Sequence, residues 1–149
     1  MLTTSASEQC ATKIMEVVPG VIRFIRADMR RQGQASVSLS QLRVLWFLNR
    51  CPQSSLSEVA DDLDVTRPTM SAMIERLVQR GFVNRVEDPE ERRRVLLTLT
   101  ATGSKYLEQV SEATRSKVAG VLSPLSDTEL QQLMQGIALL EKAFRDVKD

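Results

Sequence analysis

The chain has 149 residues, of which 26% are charged and 42% hydrophobic, and its formal net charge is +1. These values indicate one soluble globular domain, and no apolar run approaches the roughly 18 residues of a membrane-spanning helix. Histidine is absent and only two cysteines are present, which excludes imidazole catalysis and four-cysteine metal sites. The polar start does not resemble a signal peptide. We expect a cytoplasmic protein that is not an enzyme and needs no cofactor or metal.

The first predicted helix follows a polar start. Residues 1–12 are predicted to be loose, and apolar residues then recur at helical spacing over residues 14–29. Pro19 interrupts this pattern, so the helix either begins near that residue or is kinked there. Cations precede Gly33, which is the predicted end of the helix.

Three further helices are predicted within residues 38–80. A capping-box pattern opens a helix over residues 38–50, and a second such pattern opens a short helix from Ser55 to Leu63. After a turn, Thr66 is the predicted cap of the next helix, and Pro68 fits its first turn. This helix, residues 66–80, has the clearest apolar stripe in the chain.

A β-hairpin with a charged turn is predicted after Gly81, which ends the preceding helix. Residues 82–86 and 95–100 have strand-like composition, and residues 87–94 form the turn between them. The turn contains four acids and the adjacent arginines Arg92, Arg93 and Arg94. We expect the neighbouring acids to hold some of these arginines, leaving one or two extended.

Two long helices are predicted at the end of the chain. The first starts near Thr100 and continues to about Leu122, and Pro124 then breaks it. A capping-box pattern at residues 126–129 opens the last helix, which carries apolar residues as far as Phe144. The whole pattern predicts a mainly α fold with a small β-hairpin wing, that is, a winged helix-turn-helix.

The helix over residues 66–80 is the predicted recognition helix. The residues near its start are small or polar, which suits close approach to base edges in the major groove. The candidate base contacts are Arg67, Thr69, Ser71 and Ala72, and the candidate phosphate contacts are Arg76 and Gln79. The candidate DNA contacts of the following turn are Arg92, Arg93 and Arg94. One or two of them are expected to extend into the minor groove, where negative potential is concentrated.

The stretch from Leu56 to Gly103 resembles the MarR family of bacterial transcription regulators. One motif is carried by Leu77, Arg80, Gly81, Phe82, Val83 and Arg85, and the other by Arg93, Leu97, Leu99, Thr100 and Gly103. Glu91 stands where the second motif usually has aspartate. The resemblance implies a homodimer on a pseudo-palindromic operator in double-stranded DNA, with Arg93 in the minor groove. Residues 14–32 and 101–146 are then dimerisation helices, and residues 38–100 form the DNA-binding lobe of a single domain.

The resemblance also implies that a small apolar, anionic or phenolic ligand releases a repressor of this type from DNA. The candidate ligand contacts are Phe24, Ile25, Met29 and Trp46, although plain core packing explains the same residues. An oxidant-sensing regulator that uses Cys10 or Cys51 is one alternative. A winged-helix module that binds a partner protein is the other.

Overall fold

The computed structural model describes residues 3–33 and 37–147. Within them, the elements follow in the order α1 (Ala6–Gly33), α2 (Leu39–Arg50), β1 (Ser54–Ser55), α3 (Leu56–Leu63), α4 (Arg67–Gln79), β2 (Val83–Glu87), β3 (Val95–Leu99), α5 (Ala101–Leu122) and α6 (Asp127–Phe144). The predicted mainly α fold with a small wing is confirmed. The chain divides after Thr114 into two units. No helix of the described part is long and apolar enough to span a membrane.

Helix α1 begins earlier than the apolar pattern indicates. Ser5 caps it, since the Glu8 backbone N–H donates to Ser5 Oγ at 3.2 Å and the Ser5 N–H donates to Glu8 Oε2 at 2.8 Å. The prediction that residues 1–12 are loose is therefore wrong from Ala6 onward, and Met1 and Leu2 lie outside the described residues. Pro19 lies inside the helix, so the helix does not start there.

The core of the first unit is formed where α2, α3 and α4 pack against the small sheet. Met70, Ile74 and Leu77 recur on one face of α4 and are buried, as its apolar stripe predicts. Burying each such side chain contributes roughly 1.5–3 kcal/mol. The other large side chains buried almost completely include Leu42, Leu45, Leu48, Val59, Val83 and Leu97. This packing fixes which face of α4 points away from the core.

The sheet has three antiparallel strands in the order β1–β3–β2. Strands β2 and β3 form the predicted hairpin, with Val83 opposite Leu99 and Glu87 opposite Val95. Strand β1 was not predicted, because its two serines are too short a run to give a strand pattern; they pair with Leu96 and Leu97. The strand order places the turn of the hairpin beside the start of α3.

The junction between α4 and β2 depends on two glycines. Gly81 has a φ of 78° and ends α4, a backbone conformation that suits glycine. Gly103, in the first turn of α5, lies against the Phe82 backbone, and a Cβ at Gly103 would lie 2.9 Å from the Phe82 carbonyl carbon. The Phe82 ring is in turn stacked on Tyr106. The start of α5 is thus packed directly against the wing.

Asp28 is the one fully buried acid among the described residues. Its Oδ1 accepts a hydrogen bond from Arg31 Nη2 at 3.0 Å. Its Oδ2 and the Thr114 Oγ1 are both buried, and neither makes a well-formed hydrogen bond within the described part of the chain. The Thr114 hydroxyl nevertheless lies close enough to favour the charged carboxylate. A charge is therefore retained at a buried position of α1.

Helix α6 belongs to the second unit. The predicted capping box is present, with the Glu129 N–H donating to Ser126 Oγ at 3.1 Å and the Ser126 N–H donating to Glu129 Oε1 at 3.0 Å. No residue of α6 is buried. Several of its large apolar side chains are exposed, namely Leu133, Met134, Ile137, Leu139 and Phe144.

Candidate nucleic-acid interface

The exposed face of α4 carries all the candidate DNA contacts predicted on this helix. Thr66 caps the helix, with its Oγ1 accepting from the Thr69 N–H at 3.3 Å, and the Thr66 hydroxyl also donates to Thr69 Oγ1 at 2.9 Å. Pro68 fits the first turn as predicted. The exposed candidates are Arg67, Thr69, Ser71, Ala72, Arg76 and Gln79.

A tight turn sets the position of α4 relative to α3. Asp64 ends α3 in the left-handed conformation, with φ 55° and ψ 49°. Asparagine and aspartate tolerate this conformation better than other residues with a side chain. The Val65 N–H then donates to Ala60 O at 3.1 Å, so two residues separate α3 from the cap of α4. This is the helix-turn-helix predicted from the sequence.

The wing turn is closed by its own backbone. The Asp88 N–H donates to Arg94 O and the Arg94 N–H donates to Glu91 O, each at 2.9 Å. Asp88 Oδ1 accepts from the Glu90 N–H at 2.9 Å, so this carboxylate supports the turn. Of the predicted wing arginines, Arg92 and Arg93 are exposed and make no ion pair with any described residue.

Arg94 is held from outside the turn. Its Nη2 forms an ion pair with Glu58 Oε1 on α3, where an acid of the turn itself was expected. Glu58 also accepts from the Ser55 hydroxyl at 3.0 Å. The Glu58 carboxylate therefore does not return to the Ser55 N–H, and the predicted capping box is only half formed. The Ser55 side chain still accepts from the Glu58 N–H at 3.2 Å.

One cleft brings the start of α4 and the wing together. Its volume is about 480 Å³, and Arg67, Arg93 and Arg94 all line it. The other lining residues are Ser55, Leu56, Ser57, Glu91 and Val95. Three of the predicted contacts, from two separate parts of the sequence, thus line one cleft.

A second ion pair joins α4 to the wing. Glu75 Oε2 pairs with Arg85 Nη2 on β2, and both side chains are about half exposed. Sequence reasoning assigned neither residue to the site. The available signal was an acid on the exposed face of a helix otherwise expected to meet phosphate, with an arginine ten residues further along the chain.

A second cleft contains three of the four predicted ligand contacts. Ile25, Met29 and Trp46 line a volume of about 540 Å³, whereas Phe24 is 40% exposed and lies outside the lining. The arginines that line this cleft were not predicted as ligand contacts, although Arg43 and Arg50 lie three and four residues from Trp46 on α2. The charged lining residues are Arg26, Arg43, Arg50 and Asp62.

The two cysteines lie on different elements, Cys10 on α1 and Cys51 at the end of α2, and both are exposed. In residues 3–33 and 37–147, no group of three or more Cys, Asp or Glu side chains is arranged to hold a metal ion.

Comparison with known proteins identifies the family. The sequence model of the MarR family matches residues 37–95. The chain is 30% identical over 116 residues to the HTH-type transcriptional repressor MdtR of Bacillus subtilis (strain 168), covering 78% of this chain and 73% of the relative. It is 27% identical over 126 residues to the HTH-type transcriptional repressor IacR of Pseudomonas putida, covering 85% of this chain and 74% of the relative.

The fold is shared with solved structures of the same kind. The wild-type MarR apo structure from E. coli superposes with a TM-score of 0.70 at 22% identity, covering 87% of this chain and 96% of that one. The names of the relatives are those of transcription regulators rather than of enzymes. The chain therefore belongs to the MarR family of winged helix-turn-helix transcription regulators.

Proposed function

We propose that a two-fold dimer of this chain represses transcription by binding a pseudo-palindromic operator in duplex DNA. Helix α4 enters the major groove and Arg93 of the wing enters the adjacent minor groove. The observation that carries this proposal is the shared cleft, because it places Arg67 at the start of α4 and Arg93 of the wing on one surface. A duplex lying on that surface meets both elements at once.

The side chains of α4 suit direct reading of bases. Ser71 and Ala72 are small and exposed, so the helix can approach the groove floor closely. Ala72 provides a methyl group for contact with thymine. Arg76 lies one turn further along the helix, where a phosphate contact is expected to fix its register on the duplex.

The apolar surfaces of α1 and α6 support a dimer. On α6, Met134 is 71% exposed and Ile137 is 55% exposed, and on α1, Met15 is 75% exposed. Such apolar surface on helices that bury little within their own chain is typical of an interface. A second copy of the chain is the proposed occupant, since a two-fold dimer matches a pseudo-palindromic site.

The second cleft supports regulation by an amphipathic anion. Apolar side chains including Met29 and Trp46 can hold a hydrocarbon or aromatic body, and three arginines outnumber the one acid, Asp62. Asp62 is on α3, so a ligand there contacts the first helix of the helix-turn-helix. DNA is then released if the ligand favours a position of α3 in which the distance between the two α4 helices of the dimer no longer matches the spacing of the two half-sites.

The test is selection of duplex sites from a random pool by the purified protein, followed by affinity measurement across salt concentrations. We expect a two-fold symmetric site that binds roughly 10³-fold or more tightly than random duplex, with a steep salt dependence. Size-exclusion chromatography with light scattering on the same sample should give twice the mass of one chain.

Failure to recover any duplex site from protein freed of bound ligand by unfolding and refolding would contradict DNA binding. That outcome would favour the alternative in which the exposed face of α4 binds a partner protein. Recovery of an asymmetric half-site by a monomer would contradict the dimer while leaving DNA binding in place.

A further inference from the structure

Glu75 is a carboxylate on the face of α4 that is proposed to enter the DNA. Ser71, Glu75 and Gln79 are spaced by four residues, so they lie along one exposed line of the helix. DNA carries a high density of negative charge, and an acid facing it opposes binding. The position of Glu75 therefore calls for an explanation in terms of either the fold or the recognised sequence.

Arg85 compensates the charge of Glu75 without covering it. The ion pair joins Arg85 Nη2 to Glu75 Oε2, and the Glu75 side chain remains 48% exposed. Its second oxygen, Oε1, makes no hydrogen bond to any described residue. The guanidinium on β2 thus neutralises and orients the carboxylate while one acceptor atom stays available on the surface of α4.

We propose that Glu75 determines sequence specificity by accepting a hydrogen bond from the N4 amino group of cytosine in the major groove, once in each half-site. This inference rests on the proposed DNA-binding function. A carboxylate has acceptors only, and the donors on base edges in the major groove are cytosine N4 and adenine N6. Adenine presents its N7 acceptor beside N6, which repels a second acceptor, whereas cytosine presents no acceptor there.

Arg85 acts in this arrangement as a positioning residue. It does not touch the base, and its ion pair with Glu75 Oε2 leaves Oε1 as the acceptor that we assign to the base. It also lowers the repulsion between the carboxylate and the phosphates on both sides of the groove. Lysine at position 85 would keep the charge but lose the fixed planar geometry of the guanidinium.

The experiment compares the operators selected from a random pool by the wild type and by Glu75→Gln. We expect the wild type to select cytosine at one symmetric position in each half-site, and to lose about five-fold or more in affinity when that base is changed. Glutamine pairs with adenine through N6 and N7, so the variant is expected to shift this position from cytosine to adenine. The other positions of the site should keep their preferences.

Two further variants separate base reading from a structural role. Glu90→Gln removes one acid from the wing turn, and it should raise affinity for all duplexes without changing any base preference. The double variant Glu75→Arg/Arg85→Glu retains an ion pair between the same two positions. It should fold as the wild type does and select guanine, because arginine binds guanine O6 and N7.

The outcomes distinguish this inference from the proposed function. If the wild type selects a symmetric operator but Glu75→Gln and the charge-swapped variant select the same operator, Glu75 reads no base and this inference alone is wrong. If the wild type selects no duplex site, DNA binding itself is contradicted and this inference falls with it.

Discussion

Glu58 and Arg94 are 36 residues apart in the chain, and their ion pair ties the start of α3 to the wing turn. Both side chains are more than 40% exposed, so solvent screens the attraction and the pair adds at most about 1 kcal/mol to stability. Its larger effect is to hold the wing turn, and with it the neighbouring Arg93, in one position relative to the helices.

The first prediction is that Glu58→Gln lowers the specificity of DNA binding. The substitution frees Arg94 and removes a negative charge near the duplex, so affinity for random DNA should rise while the preference for the operator falls. The ratio of the two dissociation constants measures this, and the free energy of unfolding should change by less than about 1 kcal/mol. Glu141→Gln on α6 is the control and should leave the ratio unchanged; an unchanged ratio for Glu58→Gln would contradict a positioning role.

The second prediction concerns Arg93, which is exposed and lacks an ion-pair partner among the described residues. Each cation that contacts a phosphate or enters a groove releases about one counterion, so Arg93→Ala should lower the salt slope by about one per subunit. Operator affinity measured at several salt concentrations gives this slope. Lys142→Ala removes a charge from α6, where no DNA contact is proposed, and it should not alter the slope. Equal slopes for the wild type and Arg93→Ala would remove the wing arginine from the interface.

The third prediction is that Gly103→Ala destabilises the fold. A methyl group at Gly103 would overlap the Phe82 backbone, and overpacking of this kind costs about 1–3 kcal/mol. Gly120→Ala in the same helix meets no atom within 4 Å, so it should stabilise by roughly 0.5–1 kcal/mol through helix propensity. Urea unfolding at matched protein concentration compares the two variants. A neutral or stabilising Gly103→Ala would show that the contact with Phe82 relaxes easily.

The fourth prediction concerns the pH dependence of stability. Burial raises the pKa of the Asp28 carboxyl, but the Thr114 hydroxyl and the Arg31 guanidinium together lower it below its ordinary value of 3.8. The native state then binds fewer protons than the unfolded state. Asp28 therefore contributes to the free energy of unfolding at pH values above 3.8, and this contribution is lost as the pH falls through the native pKa.

Asp28→Asn is expected to lack this contribution. The wild type should exceed it in the free energy of unfolding by about 1–3 kcal/mol at neutral pH, towards the lower value because the Arg31 side chain is 66% exposed. Urea unfolding at about pH 6 and about pH 3 should show the difference shrinking in acid. A difference that stays constant with pH would mean that Asp28 titrates alike in both states.

The fifth prediction tests the ligand cleft with octanoate, an amphipathic anion. Trp46 is the only tryptophan and lines the cleft, so binding should change the intrinsic fluorescence. Arg43→Gln should weaken octanoate about ten-fold, as expected for a lost hydrogen bond between charged groups. Arg23→Gln, on α1 outside the lining, should bind as the wild type does. Equal binding of 1-octanol and octanoate would show that the arginines do not recognise the charge.

The elements predicted correctly from the sequence depend on interactions between neighbouring residues. The stripe through Met70, Ile74 and Leu77 determines which face of α4 is buried, and the caps at Ser38 and Thr66 determine where helices begin. These signals act within one or two helical turns, so they can be read without knowing the fold. The start of α1 was missed although its signal, the Ser5–Glu8 capping box, is equally local; the polar composition of that segment concealed it.

By itself, then, the sequence determined the helices, the wing hairpin, the exposed face of α4 and the family. Only the tertiary structure decided the partners of the long charged side chains. Four acids surround the wing arginines in sequence, yet Asp88 is engaged in closing the turn and Glu58, brought close by β1 pairing with β3, holds Arg94. Packing likewise brings Arg85 to Glu75, and it places three arginines around the cleft near Trp46. Long side chains can reach several partners, and only the packed arrangement of the elements selects among them.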